Sequence, residues 1–154
     1  MPAFALGAYD GALRTAVVAM KAGERDPLDA FANFLAARAP FDGTLVPLPT
    51  SRARRAERGF DQSVELARRV AARRGVACAH LLEKHGPAQE KRGRHERLAA
   101  TGRFSLRPGV SPPVAVTLLD DVCTTGATAR DAARLLRAAG AGVRGIVFVA
   151  RSGR

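Results

Sequence analysis

Residues 114–139 set the narrowest limit on how this chain folds. Val114 to Leu119 is a short run of β-branched and aliphatic residues, preceded by Pro112-Pro113 and followed by Asp120-Asp121. Such a run predicts a strand buried on both faces of a parallel sheet. Ala127 to Ala139 then carries Ala, Leu and Arg at helical spacing, with Gly140 as a stop signal. Between them lies Cys123-Thr124-Thr125-Gly126, a short, hydroxyl-bearing turn. The order is therefore strand, two carboxylates, small turn, helix.

The rest of the chain repeats the alternation. Tyr9 to Met20 predicts an amphipathic helix with Leu13, Ala16, Val17 and Met20 on one face. Asp26-Pro27 predicts the start of a second, running to about Ala39, with Leu28, Phe31, Phe34 and Leu35 as its apolar stripe. Thr44 to Leu48 reads as a strand closed by Pro47 and Pro49. Asp61 to Arg74 reads as a helix with Val64, Leu66, Ala67 and Val70 toward the core. Val76 to Leu82 and Gly142 to Ala150 read as further strands, and Glu83 to Arg103 as a polar stretch nearly devoid of large apolar residues. The expectation is one α/β domain over residues 1–154, with a Rossmann-like central parallel sheet flanked by helices.

The turn after Asp121 has a chemistry of its own. The first N–H groups of a helix lack internal acceptors and carry the positive end of its dipole, so a phosphate fits there without a cationic side chain. Two carboxylates beside a phosphate make sense if the ligand also offers hydroxyl donors, as a ribose does. A ribose 5-phosphate would set its phosphate on Thr124 to Thr128 and its hydroxyls on Asp120 and Asp121. An ordinary acidic helix cap accounts for one Asp but not for the pair and the turn together. No Gly-Lys-Ser/Thr follows the turn and no G-x-G-x-x-G occurs in it, so neither a nucleoside-triphosphate loop nor a dinucleotide fingerprint is present.

Composition narrows the setting. No apolar run approaches the roughly 20 residues of a membrane-spanning helix, and no signal-peptide core opens the chain, so a cytoplasmic protein with no membrane partner is expected. Cys78 and Cys123, with His80, His85 and His95, have no ligand spacing for a structural metal, and none is expected from the protein alone. The net charge of +11 comes almost wholly from arginine. It fits either a solvated surface or a polyanion-binding one. With no Trp and one Tyr, a base-stacking platform for single strands is poorly supplied, which makes nucleic acid the less favoured partner.

A second motif follows the strand at 44–48. Thr50-Ser51-Arg52 leads into Arg54, Arg55 and Arg58, four cations near a strand end, then Gly59-Phe60-Asp61-Gln62-Ser63. From charge alone this is equally a solvated basic turn or a site for a strongly anionic ligand.

Residues 116–128 closely resemble the phosphoribosyl-pyrophosphate (PRPP) signature of type I phosphoribosyltransferases: four hydrophobic residues, two acids, and a small-residue loop ending in threonine. Pro47-Leu48-Pro49-x-Ser51, then Arg58-Gly59-Phe60-Asp61-Gln62-Ser63, resembles the ComF/GntX-like (competence protein F-like) branch, with Asp61 where that branch usually has Asn. Gln89, Arg97 and Gly102-Arg103-Phe104 resemble its next segment, with Ala99 at a usual Asn. The resemblance implies the type I phosphoribosyltransferase fold without the N-terminal zinc module of longer members. It implies transfer of ribose 5-phosphate from PRPP to a small-molecule acceptor, such as a nucleobase in nucleoside metabolism, with Mg²⁺ entering bound to PRPP. Asp120, Asp121 and Arg97 would be catalytic. Thr124, Thr125, Gly126, Ala127 and Thr128 would bind the 5′-phosphate, and Thr50, Ser51, Arg52 and Arg58 the pyrophosphate. Lys91, Arg92 and Arg94 would lie in a flexible loop closing over the leaving group, with Glu83–Arg97 of low local stability until PRPP binds. It also leaves room for a homodimer, and for an alternative in which the domain is a PRPP-responsive or nucleic-acid-binding module in DNA uptake.

Overall fold

The computed structural model describes residues 1–85 and 100–153. Four parallel strands form the main sheet. They are β1 (Ala3–Ala8), β2 (Thr44–Pro47), β6 (Ala115–Cys123) and β7 (Gly142–Arg151), in the order β1-β7-β6-β2. A bridge from Leu45 to Cys78 extends the sheet beyond β2. Helices α1 (Gly11–Lys21), α2 (Arg25–Arg38) and α4 (Gln62–Arg74) cover one face. Helix α5 (Ala127–Ala138) covers the other, together with a three-stranded antiparallel sheet of β3 (Leu82–Lys84), β5 (Phe104–Leu106) and β4 (Ala100–Thr101). Helix α3 (Arg52–Arg58) lies between β2 and α4 in the chain.

Strand alternation divides the core in two. Successive side chains of a strand point to opposite faces. Leu45, Leu119, Val147 and Val149 pack on α1, α2 and α4. Val46, Leu118, Ile146 and Phe148 pack on α5 and Phe104. The aliphatic runs of β6 and β7 are thus apolar on both sides because both sides are covered.

Several expectations change in detail. β6 does not stop at Leu119 but runs through both acids to Cys123, and Val114 lies outside it, 84% exposed. β1 is a strand that its Ala- and Gly-containing sequence does not announce. Residues 76–82 form only the bridge at Cys78 and the start of β3, because the chain turns there from the parallel to the antiparallel sheet. The basic turn after Ser51 is helix α3, which the Ser51 hydroxyl caps by accepting from the Arg54 N–H. Part of the polar stretch 83–103 is strand, held by fully buried Phe104 just beyond it. Phe34 is half exposed under the Arg38 guanidinium rather than in the core stripe. Val64 lines a cleft instead of the core.

Candidate functional site

β2 and β6 are neighbours and parallel, so their carboxyl ends open side by side. The Leu48 N–H donates to the Leu119 carbonyl at 2.8 Å. Asp120 is the next residue on one strand, and Thr50 lies two residues further on the other. This is where open parallel sheets present their ligand sites.

The acids continue the alternation of β6. Asp121 follows Leu119 onto the face of α1 and α4. Lys21, the last residue of α1, reaches it at 3.0 Å, and the Gln62 amide donates to it at 3.2 Å. Burial pushes the Asp121 carboxyl up, but the Lys21 ammonium, Gln62 and the Val122 N–H together outweigh that and hold it below its usual value. Asp120 follows Leu118 onto the other face, where Lys84 of β3 acts on it, and it keeps part of its surface open. It accepts from the Ser63 hydroxyl at 3.3 Å and from the Asp121 N–H at 2.9 Å. Desolvation, then the neighbouring Asp121 charge, raises its carboxyl to about 8. The two carboxyls are therefore pushed apart, Asp120 up and Asp121 down.

The phosphate-loop candidates come together as expected from their order. Thr124 and Thr125 are exposed, and Gly126 is the N-cap of α5 with φ 72°. A side chain there would be strained, and its Cβ would lie 3.1 Å from Nη1 of Arg130. The Ala127 N–H donates to Thr125 Oγ1 at 3.3 Å, while the Thr128 and Ala129 N–H groups meet no acceptor among the described residues. Arg103 in the β4–β5 turn donates to Thr128 Oγ1 at 3.3 Å. Asp131 fixes that turn by accepting the Arg103 N–H at 3.1 Å.

The second loop borders an open cleft lined by Thr50, Arg52, Arg55, Asp61, Lys84 and Arg107, with His80 and Glu83. Burial, then Arg68 and Arg107, lowers the His80 imidazole and keeps it neutral at pH 7. Ser51 is occupied in capping α3. Arg58 does not line the cleft, and its guanidinium donates to Gln62 at 3.3 Å. Arg97, Lys91, Arg92 and Arg94 lie outside the described residues, as do Gln89, His95 and Ala99.

Three residues opening α4 tie these parts together. Asp61, Gln62 and Ser63 are all buried, and they bond respectively to Thr50, Asp121 and Asp120. The sequence shows them within the Arg58–Ser63 motif but not that they reach Thr50 and the two acids. Lys21 and Lys84 carry no local signal, and although Arg103 stands in the Gly102-Arg103-Phe104 segment, nothing in the spacing of the three tells which strand end they reach.

No family model matches the chain. It is similar to the competence protein ComFC of Streptococcus pneumoniae, 38% identical over 97 residues, which is 62% of this chain and 42% of that protein. It is similar to the ComFC of Bacillus subtilis, 36% identical over 93 residues, 60% of this chain and 37% of the relative. The matches thus span less than half the length of these relatives. Among solved structures, orotate phosphoribosyltransferase from Aeropyrum pernix superposes with a TM-score of 0.55 at 16% identity, over 86% of this chain and 63% of that one. The chain has the fold of type I phosphoribosyltransferases.

Proposed function

We propose that this domain binds PRPP with Mg²⁺ and transfers its ribose 5-phosphate to a small-molecule acceptor, releasing pyrophosphate. The observation that carries the reading is the placement of Asp120, the Thr124–Thr128 turn and the Thr50–Arg52 loop at adjoining strand ends. The 5′-phosphate would meet the free amides of Thr128 and Ala129 and the Arg103 guanidinium. The ribose hydroxyls would meet Asp120, the acid on the open face. The diphosphate would lie toward Thr50, Arg52 and Lys84.

In the reaction the bond from C1 to the diphosphate oxygen breaks and its electron pair leaves with the diphosphate. An acceptor lone pair forms the new bond at C1, and the acceptor gives up a proton. The cations at Arg52, Arg55 and Lys84 neutralise charge as it develops on the leaving group. The basic residues 91–97 are assigned to the same task from sequence. No group of three His, Cys, Asp or Glu that could hold a metal occurs among the described residues. Mg²⁺ would be held chiefly by substrate oxygens and would supply further neutralisation of the diphosphate.

Calorimetry with PRPP and Mg²⁺ tests the reading. Binding is expected, and Asp120→Asn combined with Asp121→Asn should weaken it sharply; full-strength binding by the double variant refutes the assignment. Release of pyrophosphate with a panel of nucleobases then tests transfer. A second reading, a PRPP-responsive module acting on nucleic acid, is favoured by the competence proteins among the relatives and by the +11 charge.

A further inference from the structure

Asp61 is 7% exposed and makes two separate connections. Its Oδ1 accepts the Val64 N–H at 3.3 Å and caps α4. Its Oδ2 accepts both the Thr50 N–H at 2.8 Å and the Thr50 hydroxyl at 3.1 Å. A helix cap needs only the first. The second puts a carboxylate oxygen on a main-chain amide and a hydroxyl in the loop that faces the cationic cleft, the arrangement a bound phosphate oxygen would make there. Ser51, the next loop residue, caps α3 by accepting the Arg54 N–H. The two Thr50 donors are therefore turned onto a protein carboxylate, although Arg52, Arg55, Lys84 and Arg107 line the cleft beside them.

We propose that Asp61 is an internal stand-in for a ligand phosphate, occupying the Thr50 donors in the free protein and competing with the diphosphate for them. The proposal rests on the PRPP reading and adds a regulation to that site. Diphosphate binding requires the Asp61–Thr50 contact to open, while the Asp61–Val64 cap stays. The cap lies on the other oxygen, so opening does not unwind α4. The device sets a threshold. A strongly anionic group drawn in by the surrounding cations displaces the carboxylate, whereas a weak anion does not.

Asparagine separates the two roles. Its one carbonyl oxygen can keep the Val64 cap, but its amide group donates and cannot accept the Thr50 N–H. Asp61→Ser keeps a capping oxygen and removes the reach and the charge. The test is the affinity of the full chain for inorganic pyrophosphate with Mg²⁺, alongside its affinity for ribose 5-phosphate, for the wild type and both variants. Both variants are expected to bind pyrophosphate about tenfold more tightly, the effect of removing one competing charge-assisted contact. Ribose 5-phosphate affinity is expected to be unchanged. A purely structural Asp61 predicts weaker or equal pyrophosphate binding in both variants, and a plain effect of cleft charge predicts the same gain from Glu83→Gln, which lines the cleft too; any of these results overturns the proposal. A gain of affinity cannot come from a damaged fold, and either variant alone decides if the other fails to fold. If no protein binds ribose 5-phosphate, the PRPP reading itself fails. If ribose 5-phosphate binds and pyrophosphate affinity does not rise, only the Asp61 role fails.

Discussion

Asp120→Asn separates stability from ligand binding at one residue. The Asp120 carboxyl sits at about 8 in the folded chain against an ordinary 3.8. A raised folded value means that the native state binds the proton more tightly than the unfolded chain does. Stability from this group is therefore full below pH 4 and falls as pH rises toward 8. The unscreened cost is about 1.4 kcal/mol for each pH unit in that window. Water reaching the partly exposed carboxyl cuts the total to about 1–2 kcal/mol. Asparagine mimics the protonated acid, and its oxygen can still accept from Ser63 and from the Asp121 N–H. The ligand-free variant should equal the wild type near pH 4 and exceed it at pH 8 by that amount, about 2–8 °C in Tm for a domain of this size. Thermal melts at the two pH values, each with and without PRPP and Mg²⁺, are the assay. The wild type should gain stability from PRPP at pH 8, and the variant should gain little. A variant less stable than the wild type at pH 8, or a stability difference that does not change with pH, would refute the reasoning that Asp120 is strained in the free site.

Lys21→Met should leave Asp121 buried without its cation and destabilise the protein by about 1–3 kcal/mol at neutral pH. The depressed Asp121 carboxyl contributes stability above pH 3.8 that is lost as pH falls through its folded value, so urea titrations of the variant should lack this acid-side loss. Gly126→Ala should cost about 1 kcal/mol through its positive φ and weaken ribose 5-phosphate binding by crowding Arg130, measured by calorimetry. Single-stranded DNA should bind weakly at physiological salt, with a steep loss of affinity as salt rises. Tight binding that survives that salt and is displaced by PRPP would make the nucleic-acid reading the leading one.

The aliphatic runs of β6 and β7 are legible in sequence because burial on both faces removes polar alternation, and α5 because Ala and Leu recur at its period. β1 is not legible, since Ala and Gly carry no strand preference and its place at the edge comes from pairing with β7. The antiparallel β3, β5 and β4 are too short for a period to show, and their docking depends on Phe104 entering the α5 core. Within the candidate site, the acid pair and the Thr124–Thr128 turn are local and can be read. Lys21, Lys84 and Arg103 arrive from other elements, and only the folded chain shows where they end.

The two adjacent acids show what such a reading misses. Taken as residues beyond a strand, Asp120 and Asp121 look equivalent and both available to a ribose. Taken as strand residues, they must face opposite sides of the sheet. One side is roofed by α1 and α4, and there Asp121 is neutralised by Lys21 and Gln62. The other side opens beside the phosphate turn, and there desolvation, then its neighbour's charge, raises Asp120. Burial thus makes Asp120 a strained acid, and the Asp121 charge adds to the strain. A ligand hydroxyl, or the Mg²⁺ that comes with PRPP, would relieve that strain by stabilising the ionised Asp120. PRPP binding should accordingly release a proton from the protein near pH 7. Calorimetry in two buffers of different ionisation enthalpy would detect it. Proton release present in the wild type, lost in Asp120→Asn and reduced in Asp121→Asn is the expected pattern. Equal release in all three would show that the pair does not act as a unit.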